Sequence, residues 1–389
     1  MKVSLFTAGK DPHYALGLLS GLILQDIYID FIGNDSMKDS PIVNDKKVNY
    51  LNLRGDQTAD APFKDKVIRV LNYYYKLIKY AAKTDSTTFH ILWLNKFLFF
   101  DMTLLNVYYK LLGKKLVYTA HNINIRERDG NNTLLNKLSL LALYKLVDHI
   151  FVHTEKMKQQ LIVDFKINDK KISVIPFGIN NVMPKSDLTS EEAKQQLTLE
   201  SYEKVILFFG NIAPYKGLEN LILALVHLRK KLPNFKLIIT GRIKSSEKYW
   251  MDIQELIEKH NLKDSIIQKI IYVPDEEVEV YFKAADVLIL PYKYIFQSGV
   301  VFLAYHFGLP VIATDVGSLK EDINIGETGF ICKPDDTEDM SEKIFAYFQN
   351  DLYKYLDVNR GKIIDYAYKK NSWINIGEIS YKIYRSLIN

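Results

Sequence analysis

Gln297-Ser298-Gly299-Val300 stands where an apolar strand candidate, Val287 to Leu290, gives way to a helical run, and that layout can hold an anion. The start of a helix carries unpaired backbone N–H groups and the positive end of the helix dipole, and a glycine in the turn lets a phosphate come close to the backbone. Two further strand candidates end in a glycine and a polar loop: Phe208-Phe209-Gly210-Asn211, with Lys216 and Gly217 beyond it, and Ile238-Ile239-Thr240-Gly241-Arg242. Loops at the carboxyl ends of strands are where α/β sheets bind ligands, so Lys216 and Arg242 are candidates for neutralising such an anion. The ordinary alternative is a solvated or carboxylate-paired loop cation. Earlier, Val117-Tyr118-Thr119-Ala120-His121-Asn122 ends a strand on a histidine, a residue suited to exchanging hydrogen bonds and protons near neutral pH but equally common as bonded structure. The first strand candidate runs into Thr7-Ala8-Gly9-Lys10-Asp11-Pro12-His13-Tyr14, where Gly9 alone gives turn freedom and Lys10 and His13 could address an anion.

The elements that must position these residues repeat through the chain. Short β-rich runs at Lys2 to Thr7, Ile27 to Ile32, Thr88 to Trp93, Lys115 to Thr119, His149 to His153 and Ile172 to Pro176 alternate with helical patterns. A second series follows at Val205 to Phe209, Lys236 to Thr240, Ile270 to Val273, Val287 to Leu290, Val311 to Ala313 and Gly329 to Cys332. Alternation of this kind predicts βαβ units on parallel sheets. The strand pattern lapses in Phe177 to Lys204, so the link between domains is expected near Gly178 to Lys185. The fold class is therefore α/β, two facing Rossmann-like doubly wound domains with a cleft between them, spanning 1–180 and 186–370.

Composition narrows the functional classes. The 389 residues are 48% hydrophobic and 25% charged, which suits a chain folded throughout, and the lone Cys332 excludes an internal disulfide and a cysteine-based zinc site. Such cysteine usage suits a reducing, cytoplasmic compartment. The most apolar region, Ile91 to Leu112, is broken by Lys96, Asp101 and Lys110, so no membrane span is expected. No His/Cys/Asp/Glu group has metal spacing, and Asp335-Asp336 reads as a cap for a helix over Thr337 to Gln349, so metal independence is expected. A dinucleotide fingerprint, a Gly-Lys-Ser/Thr phosphate loop and a nucleophile elbow are missing, which weakens dehydrogenase, kinase and hydrolase readings. A net charge of +5 is too mild to suggest nucleic acid.

The segment Ala285 to Pro334, with the loops at Gly210 and Gly241, resembles the donor-binding core of the family 4 glycosyltransferases, retaining enzymes of GT-B architecture that use nucleotide-sugars. The resemblance implies that Gly210, Asn211, Lys216, Gly241 and Arg242 surround the donor diphosphate, with Asn211 where relatives carry an arginine and Arg242 able to supply the charge. It implies that Ser298, Gly299 and Val300 hold phosphate through backbone amides, and that Tyr272 and Val273 edge the nucleobase. The helix start at Pro274-Asp275-Glu276-Glu277 explains that last segment without a ligand. Relatives carry two glutamates eight positions apart, which here fall at Ile295 and Leu303; Gln297 could share the first one's hydrogen bonds to the donor sugar, and nothing nearby replaces the second. His121 is implied to contact the transferred sugar or the acceptor, Gly9 to lie against the donor phosphates, and Lys10, His13 and Tyr14 to stand on the acceptor side, while Thr154 reads as a helix cap. Residues 371–389 are expected to pack back on the N-terminal domain, as in relatives.

The implied reaction moves a sugar from a UDP- or GDP-sugar, with no further cofactor, to a hydroxyl of a saccharide or lipid-linked acceptor in surface polysaccharide or glycoconjugate assembly. Lys216, Arg242 and the Ser298 to Val300 amides would stabilise the departing diphosphate. The absent acids keep a second class open, a non-catalytic scaffold or regulator of another transferase; a nucleotide-sugar epimerase is a third. Lys64 to Lys83 reads as an amphipathic helix, with Val67, Val70, Leu71, Tyr74, Leu77, Ile78 and Ala81 on one face and Arg69, Lys76, Lys79 and Lys83 opposite. That is either a domain helix with a solvated basic face or a peripheral contact with anionic lipid at the cytosolic face of a membrane.

Overall fold

The computed structural model describes every residue except 59, 125–131, 181–182, 245–246 and 389. Residues 181–182 of the expected link and residue 389 of the expected C-terminal segment lie outside the described residues. The chain divides into two compact α/β units, one formed by Met1–Gly178 with Asn371–Asn389 and the other by Ile179–Lys370.

The first unit is built on strands β1 (Lys2–Phe6), β2 (Tyr28–Ile32), β3 (Val48–Leu51), β4 (Thr88–Ile91), β5 (Lys115–Thr119), β6 (His149–Val152) and β7 (Ile172–Val174). They form a parallel sheet in the order β3-β2-β1-β4-β5-β6-β7, with β1 opposite both neighbours in register, Val3 facing Ile29 on one side and Thr88 on the other. Both faces of a parallel sheet are covered by helices, which is why the central strands are unbroken apolar runs. Val3, Leu5, Phe89, Leu116, Val117, Ile150 and Phe151 are fully buried. Strand β3 was missed in the sequence because Val48-Asn49-Tyr50-Leu51 is half-polar; as the edge strand it buries only part of its surface.

Helix α1 (Pro12–Leu22) packs on the helix Trp373–Ile388, and glycines make the approach possible. A Cβ at Gly21 would fall 1.9 Å from the Trp373 carbonyl oxygen, and one at Gly17 2.2 Å from the Trp373 ring. The terminal helix also reaches the sheet. The Tyr384 hydroxyl lies 2.6 Å from Nδ1 of the buried His90, whose Nε2 is 2.7 Å from Thr119 Oγ1.

Helix α2 (Phe63–Lys83) departs from the expected face. It buries Tyr73, Tyr74, Leu77 and Ala81, while Val67, Leu71 and Ile78 are exposed beside Ile68 and Tyr75. The tyrosine hydroxyls turn the helix: Tyr73 donates to Asn95 Oδ1 at 2.9 Å and Tyr74 donates to the buried Asp101 at 2.9 Å.

The second unit carries β8 (Lys204–Phe209), β9 (Phe235–Thr240), β10 (Ile266–Lys269), β11 (Val287–Leu290), β12 (Val311–Thr314) and β13 (Gly329–Cys332) in the order β10-β9-β8-β11-β12-β13. One strand lies four residues earlier than expected. Ile266 to Lys269 pair with Leu237 to Thr240, and the Gly241 amide donates to the Lys269 carbonyl, so the ladder ends there. Ile270 to Val273 overrun the sheet edge, and Ile271 and Tyr272 are exposed.

Candidate functional site

At the carboxyl edge of the second sheet, the loops after β8 and β9 run side by side. Gly210 N–H donates to the Thr240 carbonyl at 2.9 Å, and Ile212 N–H donates to the Arg242 carbonyl at 2.9 Å. Both glycines are needed. Gly241 has φ +140° and a Cβ on it would lie 1.8 Å from the Gly210 oxygen, while the open side of Gly210, φ +108°, meets only a Val300 methyl at 4.0 Å. Gly210 therefore borders the start of the helix Gly299–His306 directly.

Lys216 belongs to a 3₁₀ turn, Pro214–Lys216, closed by Gly217, and is buried at 6% exposure. Its ammonium lies 3.8 Å from the centre of the Tyr292 ring and donates to the Tyr292 hydroxyl. That hydroxyl is 3.4 Å from Oγ of Ser298, which is 4% exposed and caps the helix Gly299–His306 through its backbone. The chain Lys216–Tyr292–Ser298 thus sets a cation beside a helix N-terminus whose first amides are free of side-chain caps. Sequence reasoning missed Tyr292, which lies 76 positions from its lysine.

Arg242 is exposed, and its Nε is 3.4 Å from Asn211 Oδ1 while its guanidinium lies 6.0 Å from the Tyr272 ring centre. The arginine thus stands beside Asn211, for which the resemblance implied an arginine. Val273 is buried, and Pro274 does start the helix Asp275–Ala284 with three acids in its first turn.

Gln297 donates from Nε2 to Oδ2 of Asp322 at 3.5 Å, and its Oε1 is buried without a hydrogen-bond partner among the described residues. Asp322, a second side chain the sequence did not single out, is buried, and that burial pushes its carboxyl up to about 7. Ile295 and Leu303 are buried apolar side chains. The notch for Ile295 is shaped by Gly317, φ +59°, where a Cβ would meet the Ile295 oxygen at 2.1 Å.

In the first unit, His121 follows β5 and lies flat on Trp93, ring centres 4.5 Å apart at 6°, with the Tyr14 ring edge-on at 4.6 Å. Its Nδ1 is 3.1 Å from Nε2 of His153, and His153 Nδ1 is 3.3 Å from the Ile175 carbonyl. A carbonyl only accepts, so His153 is protonated on Nδ1, its Nε2 accepts, and His121 donates from Nδ1. The His121 ring is also held by a backbone hydrogen bond to Leu92, and its Nε2 is buried without a hydrogen-bond partner among the described residues. Burial holds His121 well below the ordinary histidine range, with His153 and His90 adding to it, and holds His153 at about 4. Tyr14, 2% exposed and packed on Trp373 and Phe177 as well, holds the His121 ring in place and presents no solvated hydroxyl. Thr154 caps its helix by accepting from Met157 N–H, and Asp336 caps Thr337–Gln349 in the same way. Lys10 donates to the Leu94 carbonyl at 2.8 Å. Gly9, φ +63°, lies against Arg54, and His13 is half-buried in the first turn of α1. Among the described residues no three His, Cys, Asp or Glu side chains converge as a metal site, and no helix is long and apolar enough to cross a membrane.

Comparison with known proteins agrees with the two-unit α/β fold. Residues 189–370 match the model of Glycosyl transferases group 1, and residues 18–181 match the model of Glycosyltransferase Family 4. The chain is 28% identical over 227 residues to the D-inositol 3-phosphate glycosyltransferase of Corynebacterium glutamicum, a match covering 56% of this chain and 54% of that protein, about half its length. Its fold resembles sucrose-phosphate synthase from Thermosynechococcus elongatus (TM-score 0.76, 18% identity, covering 100% of this chain and 99% of that one). It also resembles Anabaena HepE in complex with UDP-glucose (TM-score 0.73, 15% identity, 99% of each chain). Two parallel-sheet units, glycine-edged loops at the strand ends and two family models that between them span residues 18–181 and 189–370 lead to one conclusion: the chain belongs to the family 4 type glycosyltransferases of GT-B fold.

Proposed function

We propose that the protein transfers a hexosyl or related sugar from a UDP- or GDP-sugar to a hydroxyl of a saccharide or lipid-linked acceptor, with retention at the anomeric carbon. The observation that carries the reading is Lys216, buried on the Tyr292 ring and tied through Tyr292 to the Ser298 turn. A fixed cation beside free helix amides suits the charge that grows on a departing diphosphate, and it needs no reorganisation during the reaction. Arg242, beside Asn211, adds positive charge on the neighbouring loop, so the leaving group is neutralised by side chains and amides in place of a metal ion. Gly210 and Gly241 leave room for the phosphates, and Tyr272 and Val273 lie along the edge expected to meet the base. Gln297, with its buried Oε1 unpartnered, accepts from a hydroxyl of the donor sugar. His121, neutral and with Nε2 unpartnered, exchanges a hydrogen bond with a substrate hydroxyl. The bound UDP-glucose of the HepE structure supports a nucleotide-sugar as the donor. The setting is assembly of surface polysaccharide or glycoconjugate at the cytosolic face of a membrane.

The decisive experiment replaces Lys216 with Ala and follows nucleotide release from UDP- and GDP-sugars. Loss of transition-state charge stabilisation should lower kcat more than about tenfold, with donor binding reduced less. Turnover near the wild-type rate would remove Lys216 from the mechanism. Nucleotide-sugar binding with no turnover by the unaltered protein would favour the scaffold reading, which the apolar Ile295 and Leu303 motivate.

A further inference from the structure

A cavity of about 380 Å³ opens in the first unit, within the size range of small-molecule sites. It lies beyond the carboxyl ends of β3 and β4, the side of a doubly wound sheet on which ligands bind. Arg54 follows β3, Asn95 and Lys96 follow β4, and Lys66, Arg69 and Tyr73 come from α2. Among the described residues that line it, four are cations and none is an acid.

These cations are not equivalent. Arg69 is occupied: it donates to the Asp56 carboxylate at 2.9 Å and to the Thr58 carbonyl at 3.1 Å, so it braces the loop that forms one wall. Arg54 is held but not satisfied. Its guanidinium carbon is 5.1 Å from the Tyr73 ring centre, a side-chain hydrogen bond with Tyr73 and a 2.9 Å donation from Nε to Gln57 hold the group, yet Nη1 is buried with no hydrogen-bond partner among the described residues. A buried, fully charged donor without an acceptor is costly unless a ligand supplies one. The one buried carboxylate nearby, Asp101, does not serve. Its oxygens already accept from Tyr74 and Asn95, and burial pushes its carboxyl up to about 6. Gly9 closes the arrangement, because a Cβ there would fall 2.8 Å from Arg54 Cδ. The loop after β1 and the guanidinium are packed as one piece.

We propose that this cavity binds the phosphate or diphosphate group of the acceptor, with Arg54 Nη1 as its fixed donor and Lys66 and Lys96 as flanking charges. A guanidinium pairs with phosphate through directed hydrogen bonds, and the two exposed lysines add charge without dictating geometry. This rests on the sugar-transfer reading for the word acceptor; the anion site itself does not. The phosphate belongs either to a soluble phosphorylated sugar or polyol, or to a lipid-linked saccharide.

The test titrates the full chain at low salt with inorganic pyrophosphate, with a soluble hexose phosphate, and with phosphatidylcholine vesicles with and without polyprenyl diphosphate. Arg54→Gln should weaken binding of the phosphate probes on the order of tenfold or more, and the doubly exposed Lys66→Ala/Lys96→Ala variant should weaken it without altering the unfolding midpoint. Binding of the hexose phosphate assigns a soluble acceptor, and binding confined to the doped vesicles assigns a lipid-linked one. UDP binding, measured on the same samples, should be unchanged by these variants. Phosphate binding that neither variant alters, or no phosphate binding in a sample that does bind UDP, overturns the proposal while leaving sugar transfer standing. Variant-sensitive phosphate binding in a protein that never turns over a nucleotide-sugar keeps the anion site and removes the transferase reading.

Discussion

Asp322 and two buried histidines, His153 and His90, give the protein two opposing pH responses. Burial raises Asp322 from an ordinary 3.8 to about 7, so between those values the folded chain keeps a proton that the unfolded chain has released. Stability therefore falls as pH rises through that window. Asp322→Asn removes the effect: urea midpoints should show the variant gaining on the wild type from about pH 4 to about pH 7 and holding a constant difference above. His153, at about 4, and His90, at about 3, are buried neutral, so their share of stability is lost as pH drops below the ordinary histidine value of 6.5. The same residues show where sequence reading stops. Turns ending on Gly210 and Gly241 were legible because a glycine after an apolar run is a local signal. Tyr292 beside Lys216, Asp322 beside Gln297 and His153 beside His121 lie 76, 25 and 32 positions apart, and only the sheet order brings them together. Arg54 was invisible for the same reason: nothing in its neighbourhood of the sequence marks the loop as a cavity wall.

Among the elements, α2 is where helical period and burial disagree. The wheel placed Val67, Leu71 and Ile78 on the core side, but the core takes the side centred on Tyr73 and Leu77. A strip of Val67, Ile68, Leu71, Tyr75 and Ile78 is left in water beside Lys76 and Lys79, and Leu71 is 55% and Tyr75 63% exposed. An apolar strip bordered by lysines is suited to the boundary of an anionic lipid surface. The protein should co-sediment with vesicles containing phosphatidylserine at low salt, and Leu71→Glu with Tyr75→Glu should leave most of it in the supernatant; equal sedimentation of both would show that the strip has no such role. Strands were easier. Eleven of the thirteen described strands coincide with apolar runs seen in the sequence. The edge strand β3 was too polar to stand out, and β10 was displaced because Ile266-Ile267 and Ile270-Ile271 are equally apolar and only the end of β9 chooses between them.

At the scale of the whole molecule, the α/β class and two parallel sheets followed from strand–helix alternation alone, since that pattern admits few other layered solutions. What alternation could not convey was how tightly the helix Trp373–Ile388 enters the first unit. It crosses α1 at glycines, with Trp373 filling the space over Gly17 and Gly178, where a Cβ would come within 2.2 Å of its ring. Gly21→Leu should therefore destabilise the first unit by roughly 1 to 3 kcal/mol or more through overpacking, read as a lower urea midpoint in the fluorescence of Trp93 and Trp373. An unchanged midpoint would mean that the helix is dispensable to that unit. Because Asn371–Asn389 complete a core whose other part is Met1–Gly178, the unit whose synthesis begins first is the last to have all of its residues made. The core cluster that holds Leu18, Phe31 and Val117 together with Trp373 and Tyr384 stays incomplete while all of Ile179–Lys370 is synthesised. At a synthesis rate of about 5–20 residues per second that interval is on the order of ten seconds or more, a window in which a chaperone or a premature stop codon would act on the N-terminal unit first.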